Sequence, residues 1–159
     1  MEVNFKKANY DDRDLILELI REFYEIEHVE YNRQVLEKCL PEIFDSEQWG
    51  MLWLICVENE VAGYIFLTFG YSFELHGINA LVDELYIREA YRLKGIGKKA
   101  LKFVESVCES LGIKTMNLVV GYENEVAKNV YKKFGFTAYE RYIMTKWIGG
   151  KNETDSGTM

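Results

Sequence analysis

Arg92-Leu93-Lys94-Gly95-Ile96-Gly97 lies between an apolar stretch with strand character and an amphipathic stretch with helical spacing. Two glycines at the opening of a helix let the backbone come close to a ligand. The first helical turn offers unpaired N–H donors and the positive end of the helix dipole, so the ligand it suits is an anion. Between residues 88 and 102 the cations Arg88, Arg92, Lys94, Lys98, Lys99 and Lys102 accompany a single acid, Glu89. Lys98 and Lys99 stand in or near the first turn, where the dipole disfavours cations unless a bound anion offsets them. These features point to a phosphate-bearing ligand. Neither of two familiar phosphate motifs is present: Ala100 takes the place of the third glycine of the dinucleotide fingerprint, and there is no Gly-x-x-x-x-Gly-Lys-[Ser/Thr].

The elements around this loop follow from periodicity. Residues 3–8 form a short strand, and Asp11 or Asp12 caps a helix to about His28 with Leu15, Leu19, Phe23 and Ile26 on its apolar face. A second helix spans Arg33 to Phe44, with Pro41 as a potential break. Leu52–Val57 and Val61–Leu67 flank Glu58-Asn59-Glu60 as a β-hairpin, and Ala80–Ile87 forms a further strand. A helix from Gly95 to Leu111, closed by Gly112, leads to a strand at Lys114–Val120. Asn124 caps a short helix closed by Gly135, and a final strand spans Phe136 to Trp147. The order β-α-α-β-β-β-α-β-α-β predicts an α/β fold with a mixed sheet and helices on its faces.

The chain has 159 residues, 48% of them hydrophobic, and one proline, which suits one domain over residues 1–148 followed by a polar tail, 149–159. No stretch has the length and apolarity of a membrane span, and the first residues do not have the pattern of a secretion signal. The expected location is cytoplasmic. Cys39, Cys56, Cys108, His28 and His76 show no metal-ligand spacing, so no metal site is expected and the cysteines read as core or surface thiols. Residues 1–87 carry 18 acids and 6 bases, net −12, whereas residues 88–159 carry 8 acids and 13 bases, net +5. The split suggests a polyanion at the second half and a cation drawn to the first. A pI near 5.0 opposes nucleic-acid binding.

Asp83-Glu84-Leu85-Tyr86-Ile87, the Arg92–Gly97 loop, and Asn124-x-x-Ala127-x-x-Val130-Tyr131-x-x-Phe134-Gly135-Phe136 together resemble the GNAT superfamily of acetyl-CoA-dependent N-acetyltransferases. The resemblance covers nearly the whole chain and implies the GNAT fold, a mostly antiparallel sheet with helices on both faces. It implies that the backbone of Leu93, Lys94, Gly95, Ile96, Gly97 and Lys98, with Arg92, holds the pyrophosphate of coenzyme A. It implies too that Leu85, Tyr86 and Ile87 splay from the neighbouring strand to meet the pantetheine arm, with a backbone N–H near Leu85 polarising the thioester. Asn124 would hydrogen-bond that arm, although as a residue it reads equally as a plain helix cap. Tyr131 matches the position that protonates the departing sulfur.

Within the family, Gly70-Tyr71-Ser72-Phe73-Glu74 followed by Val82–Ile87 is similar to diamine and polyamine acetyltransferases, and Glu22–Glu27 suits an acidic acceptor mouth. The implied reaction moves acetyl from acetyl-CoA to a primary amine of a small cationic acceptor by direct attack in a ternary complex. Glu84 and Asp83 are the candidate bases, Glu84 being favoured because it shares a face with Tyr86, and neighbours on a strand point to opposite faces. A groove for an extended peptide would instead favour a protein N-terminus or lysine as acceptor. A Tyr131 turned from the sulfur, with no carboxylate on the acceptor side, would leave a non-catalytic acyl-CoA-binding module. Tyr139, Tyr142 and Trp147 allow a homodimer and are equally at home in a core.

Overall fold

A computed structural model describes residues 1–151 of the chain; the remainder of the expected tail, 152–159, lies outside the described residues. Two compact units divide at Val119/Val120. The first contains β1 (Val3–Lys7), α1 (Arg13–Glu27), α2 (Arg33–Asp45), β2 (Gly50–Val57), β3 (Glu60–Ser72), β4 (Gly77–Ile87), α3 (Ile96–Ser110) and β5 (Met116–Leu118). The second contains α4 (Glu125–Phe134).

In the first unit one sheet runs in the order β1-β2-β3-β4-β5, antiparallel through β4 and parallel between β4 and β5. Glu58 and Asn59 both take positive φ, 49° and 68°, which matches the twist of a tight two-residue hairpin between β2 and β3. Leu52, Leu54, Tyr64 and Tyr86 bury one face of the sheet against Ile16, Leu17, Leu19 and Ile20 of α1 and Leu40 of α2. On the other face Phe103 of α3 stacks on Phe5 of β1, ring centroids 4.3 Å apart, and meets Trp53 of β2 edge-on at 5.2 Å. Helices therefore cover both faces, as the amphipathic spacing requires.

The second helix forms over nearly the expected span, whereas the expected final strand does not form. α2 runs on through Pro41 to Asp45, because Leu40, Ile43 and Leu36 pack on the core around it and outweigh the lost N–H. The segment from Phe136 to Trp147 is not a strand, for it pairs with no strand among the described residues, and its Tyr139, Tyr142 and Trp147 are exposed. β-propensity alone does not hold a strand whose N–H and C=O groups lack a neighbour. No described helix is long and apolar enough to cross a membrane.

β3 and β4 are in close contact at Gly63, where a Cβ would stand 1.9 Å from the carbonyl oxygen of Tyr86. Gly63→Ala should therefore destabilise the protein by about 1–3 kcal/mol through overpacking. Urea unfolding will measure this, and an unchanged midpoint would show that the two strands separate freely at this point.

Candidate active site

The ladder between β3 and β4 slips once. Phe66 pairs with Glu84 and Leu67 with Val82, so Asp83 is an extra residue with no partner, a β-bulge. In an uninterrupted strand Val82, Glu84 and Tyr86 would share a face. Here the bulge leaves Val82 opposite Leu67 and turns Glu84 and Tyr86 to the face covered by α1. The pairing of β5 with β4 also ends here, its last partners being Val82 and Leu118. Beyond the bulge Leu85, Tyr86 and Ile87 have no strand on that edge among the described residues.

Glu84 is half-buried, and each of its carboxylate oxygens accepts a phenolic hydrogen bond: Oε2 from Tyr24 of α1 at 2.5 Å and Oε1 from Tyr64 of β3 at 2.8 Å. Burial raises the Glu84 carboxyl above its ordinary pKa, the two phenols oppose that rise, and the charge of Asp83 adds to it. Burial also pushes both phenols upward, reinforced by Glu84, so both remain protonated donors. The Asp83 carboxylate accepts no hydrogen bond among the described residues, and desolvation raises its pKa. Its charge is felt by Glu84, Tyr24 and Tyr64. Glu84, the acid favoured as base, is the one bonded on the α1 face, and Asp83 stands beside it on the extra position of the bulge.

The adjoining part of β4 is tied to the same helix. Tyr86 donates to Glu22 Oε1 at 3.2 Å, and Arg88 grips Glu22 through Nε at 3.1 Å and Nη2 at 2.8 Å. Glu22 is consequently neutralised by Arg88 rather than standing free in an acidic mouth. Arg92 Nε donates to the carbonyl of Ile87 at 2.9 Å, and its guanidinium lies 6.0 Å from the Tyr86 ring centroid.

Four residues after β4 the glycine loop begins. Leu93 and Gly95 take positive φ, 62° and 75°, a sharp entry into α3 with Gly95 as its N-cap. No side chain caps α3 and no acid lies in its first turn, so its N–H groups have no protein anion before them. A Cβ built at Gly95 or at Gly97 would meet no protein atom within 4 Å. Ile96 is buried and anchors the turn, while Arg92, Lys94 and Lys98 are exposed around it. Open backbone, a helix N-terminus and surrounding cations fit a pyrophosphate.

In the second unit Asn124 Oδ1 accepts from Ala127 N–H at 3.1 Å, capping α4 and leaving its amide N–H groups as donors. Tyr131 is half-buried, meets Phe136 edge-on at 5.9 Å, and has its hydroxyl pKa raised by desolvation.

The acetyltransferase (GNAT) family matches residues 15–136. The chain belongs to the acetyltransferase (GNAT) family. It is 29% identical to the thialysine N-epsilon-acetyltransferase of Bos taurus, covering 84% of this chain and 83% of that one. It is 27% identical to the spermine/spermidine N(1)-acetyltransferase of Bacillus subtilis, over 86% and 88% of the two chains. A predicted acetyltransferase of Clostridium acetobutylicum, crystallised with acetyl-CoA, shares the fold at a TM-score of 0.76 and 17% identity, over 95% of this chain and 100% of that one. GNAT acetyltransferases use acetyl-CoA, and this member is an acetyl-CoA-dependent N-acetyltransferase.

Sequence reasoning missed Tyr24 and Tyr64 at this site and counted Arg88 with the cations of the glycine loop, whereas it pairs with Glu22. Tyr24 lay inside the acidic segment already singled out, but its bond to Glu84 spans 60 residues, and no local pattern encodes that pairing.

The open space at Gly97 separates folding from binding. Gly97→Ala should leave stability unchanged or raise it slightly, yet weaken coenzyme A binding measured by calorimetry, and Gly97→Glu should abolish that binding. Full affinity in Gly97→Glu would show that the loop is not the anion site.

Proposed function

We propose that this protein transfers the acetyl group of acetyl-CoA to a primary amine of a small, cationic, polyamine-like acceptor by direct attack in a ternary complex, both units working as one acyltransferase domain. The observation that carries this reading is the doubling of Asp83 and Glu84 at the point where β4 parts from β5. It places two carboxylates on the strand that leads into the glycine loop. The spermine/spermidine and thialysine enzymes, whose names give amine acceptors, support the same class. Bound acetyl-CoA supplies an activated thioester carbonyl.

The residues divide the work. The carboxylates attract the ammonium form of the acceptor, and one of them takes a proton from it, directly or through water. The neutral nitrogen then attacks the carbonyl carbon, the C–N bond forms, and the C–S bond breaks with its electron pair leaving on sulfur. Tyr131, at the family position for sulfur protonation, gives that sulfur a proton and regains one from solvent. Its raised pKa keeps the hydroxyl protonated at neutral pH, and because a thiol of reference pKa about 8.5 is the stronger acid, the transfer is uphill and its help to the departing sulfur modest. A backbone N–H near Leu85 on the unpaired edge polarises the carbonyl. Loop residues 92–98 and Asn124 hold the coenzyme, and positioning supplies much of the rate.

Two measurements test this. kcat/KM for a polyamine should fall as ionic strength rises, because screening weakens the attraction between a cationic acceptor and the acidic first half of the chain. An unchanged kcat/KM would remove the electrostatic argument. Tyr131→Phe should lower kcat by roughly 10²-fold with coenzyme affinity nearly intact, whereas wild-type turnover would make Tyr131 a packing residue.

A further inference from the structure

Glu84 and Asp83 are neighbours in sequence with different surroundings. Both oxygens of Glu84 are taken by phenols, from α1 and from β3, and the short bond to Tyr24 fixes its carboxylate against the helix. Asp83 sits on the extra position of the bulge, exposed at its surface and with no hydrogen-bond donor among the described residues. A carboxylate that accepts two such bonds is held in place with both oxygens engaged by donors. A carboxylate without donors has both oxygens available to an incoming N–H.

We propose that Tyr24 and Tyr64 are positioning residues that hold Glu84 as a fixed anion for the acceptor's charge, leaving Asp83 as the carboxylate that takes the proton from the attacking nitrogen. The inference rests on the reading of the acceptor as a cationic amine. In the step itself an acceptor ammonium N–H bond breaks, its proton passes to an Asp83 oxygen, and the nitrogen keeps the electron pair that forms the C–N bond. Asp83 returns the proton to solvent after product leaves. The second, remote ammonium of a diamine or polyamine stays charged against Glu84.

The groups facing Glu84 are Tyr24 of α1, Tyr64 of β3 and Asp83 of its own strand, with Cys39 of α2 felt at Tyr24. The phenols bond to the ionised carboxylate and therefore lower its pKa, so removing either must raise it. Tyr24 also links the acceptor side to the end of α1, where Glu22 already binds Arg88 and Tyr86. Residues 22 to 24 thereby strap α1 to β4 at two points, and the clamp on Glu84 is one of them.

The test uses the full chain and two readouts. Carboxyl carbon NMR should show Glu84 titrating at higher pH in Tyr24→Phe and in Tyr64→Phe than in the wild type. In steady-state kinetics with spermidine, the loss in both variants should fall mainly on KM, by several-fold to about tenfold. Asp83→Asn should lose most turnover at neutral pH and recover as pH rises, because the free base becomes abundant near the amine pKa of about 10. Glu84→Gln should show the same defect at every pH. If Tyr64→Phe fails to fold, Tyr24→Phe on the partly exposed helix decides the titration alone. An unmoved Glu84 titration, or alkaline rescue of Glu84→Gln instead of Asp83→Asn, overturns this inference by itself. Absence of wild-type turnover with every cationic amine overturns the acceptor reading, and the anchoring role of Glu84 goes with it.

Discussion

One slipped position in the β3–β4 ladder organises the first unit. Because Phe66 pairs with Glu84 and Leu67 with Val82, every β4 residue from Glu84 on is displaced by one step relative to a regular strand. Glu84 and Tyr86 turn to α1, and Val82 remains on the opposite face in the core. The parallel pairing with β5 stops at the same residue. A bulge adds local twist and frees backbone groups from the ladder, and this one turns Glu84 to the α1 face at the residue next to which pairing with β5 ends. Without it Glu84 would lie on the face of Val82, away from Tyr24 and Tyr64.

Charge is handled differently at the two ends of the site. On the α1 side two half-buried acids are compensated, Glu22 by the Arg88 fork and Glu84 by two phenols, while the exposed Asp83 lacks a donor among the described residues. Neutral donors stabilise a carboxylate without cancelling its charge, which leaves Glu84 able to attract a cation. At the start of α3 the arrangement is reversed, with open backbone N–H groups and no acid in the first turn. Opposite preferences at two neighbouring places suit an enzyme that takes one anionic and one cationic substrate.

The fold was legible where the signal is local. Gly95 and Gly112 fall at positive φ, the Glu58-Asn59 turn closes the hairpin, and Ile96, Ala100 and Val104 line the buried stripe of α3. Those residues declare their conformation through glycine chemistry, turn preference and period. Asp83 and Glu84 were identifiable as chemistry-bearing residues, but the bulge that turns Glu84 toward α1 was not, since it depends on how β3 aligns with β4. The same limit hid Tyr24 and Tyr64. The segment after Phe136 misled for a related reason: a strand-like pattern without a paired neighbour forms no strand.

The most direct test of the account is an acceptor screen that follows thiol release from acetyl-CoA with polyamines, aminoglycosides, free amino acids and peptides. The account predicts turnover with multiply charged amines, highest for polyamines, and little with neutral or acidic acceptors. A preference for neutral or anionic acceptors would contradict it.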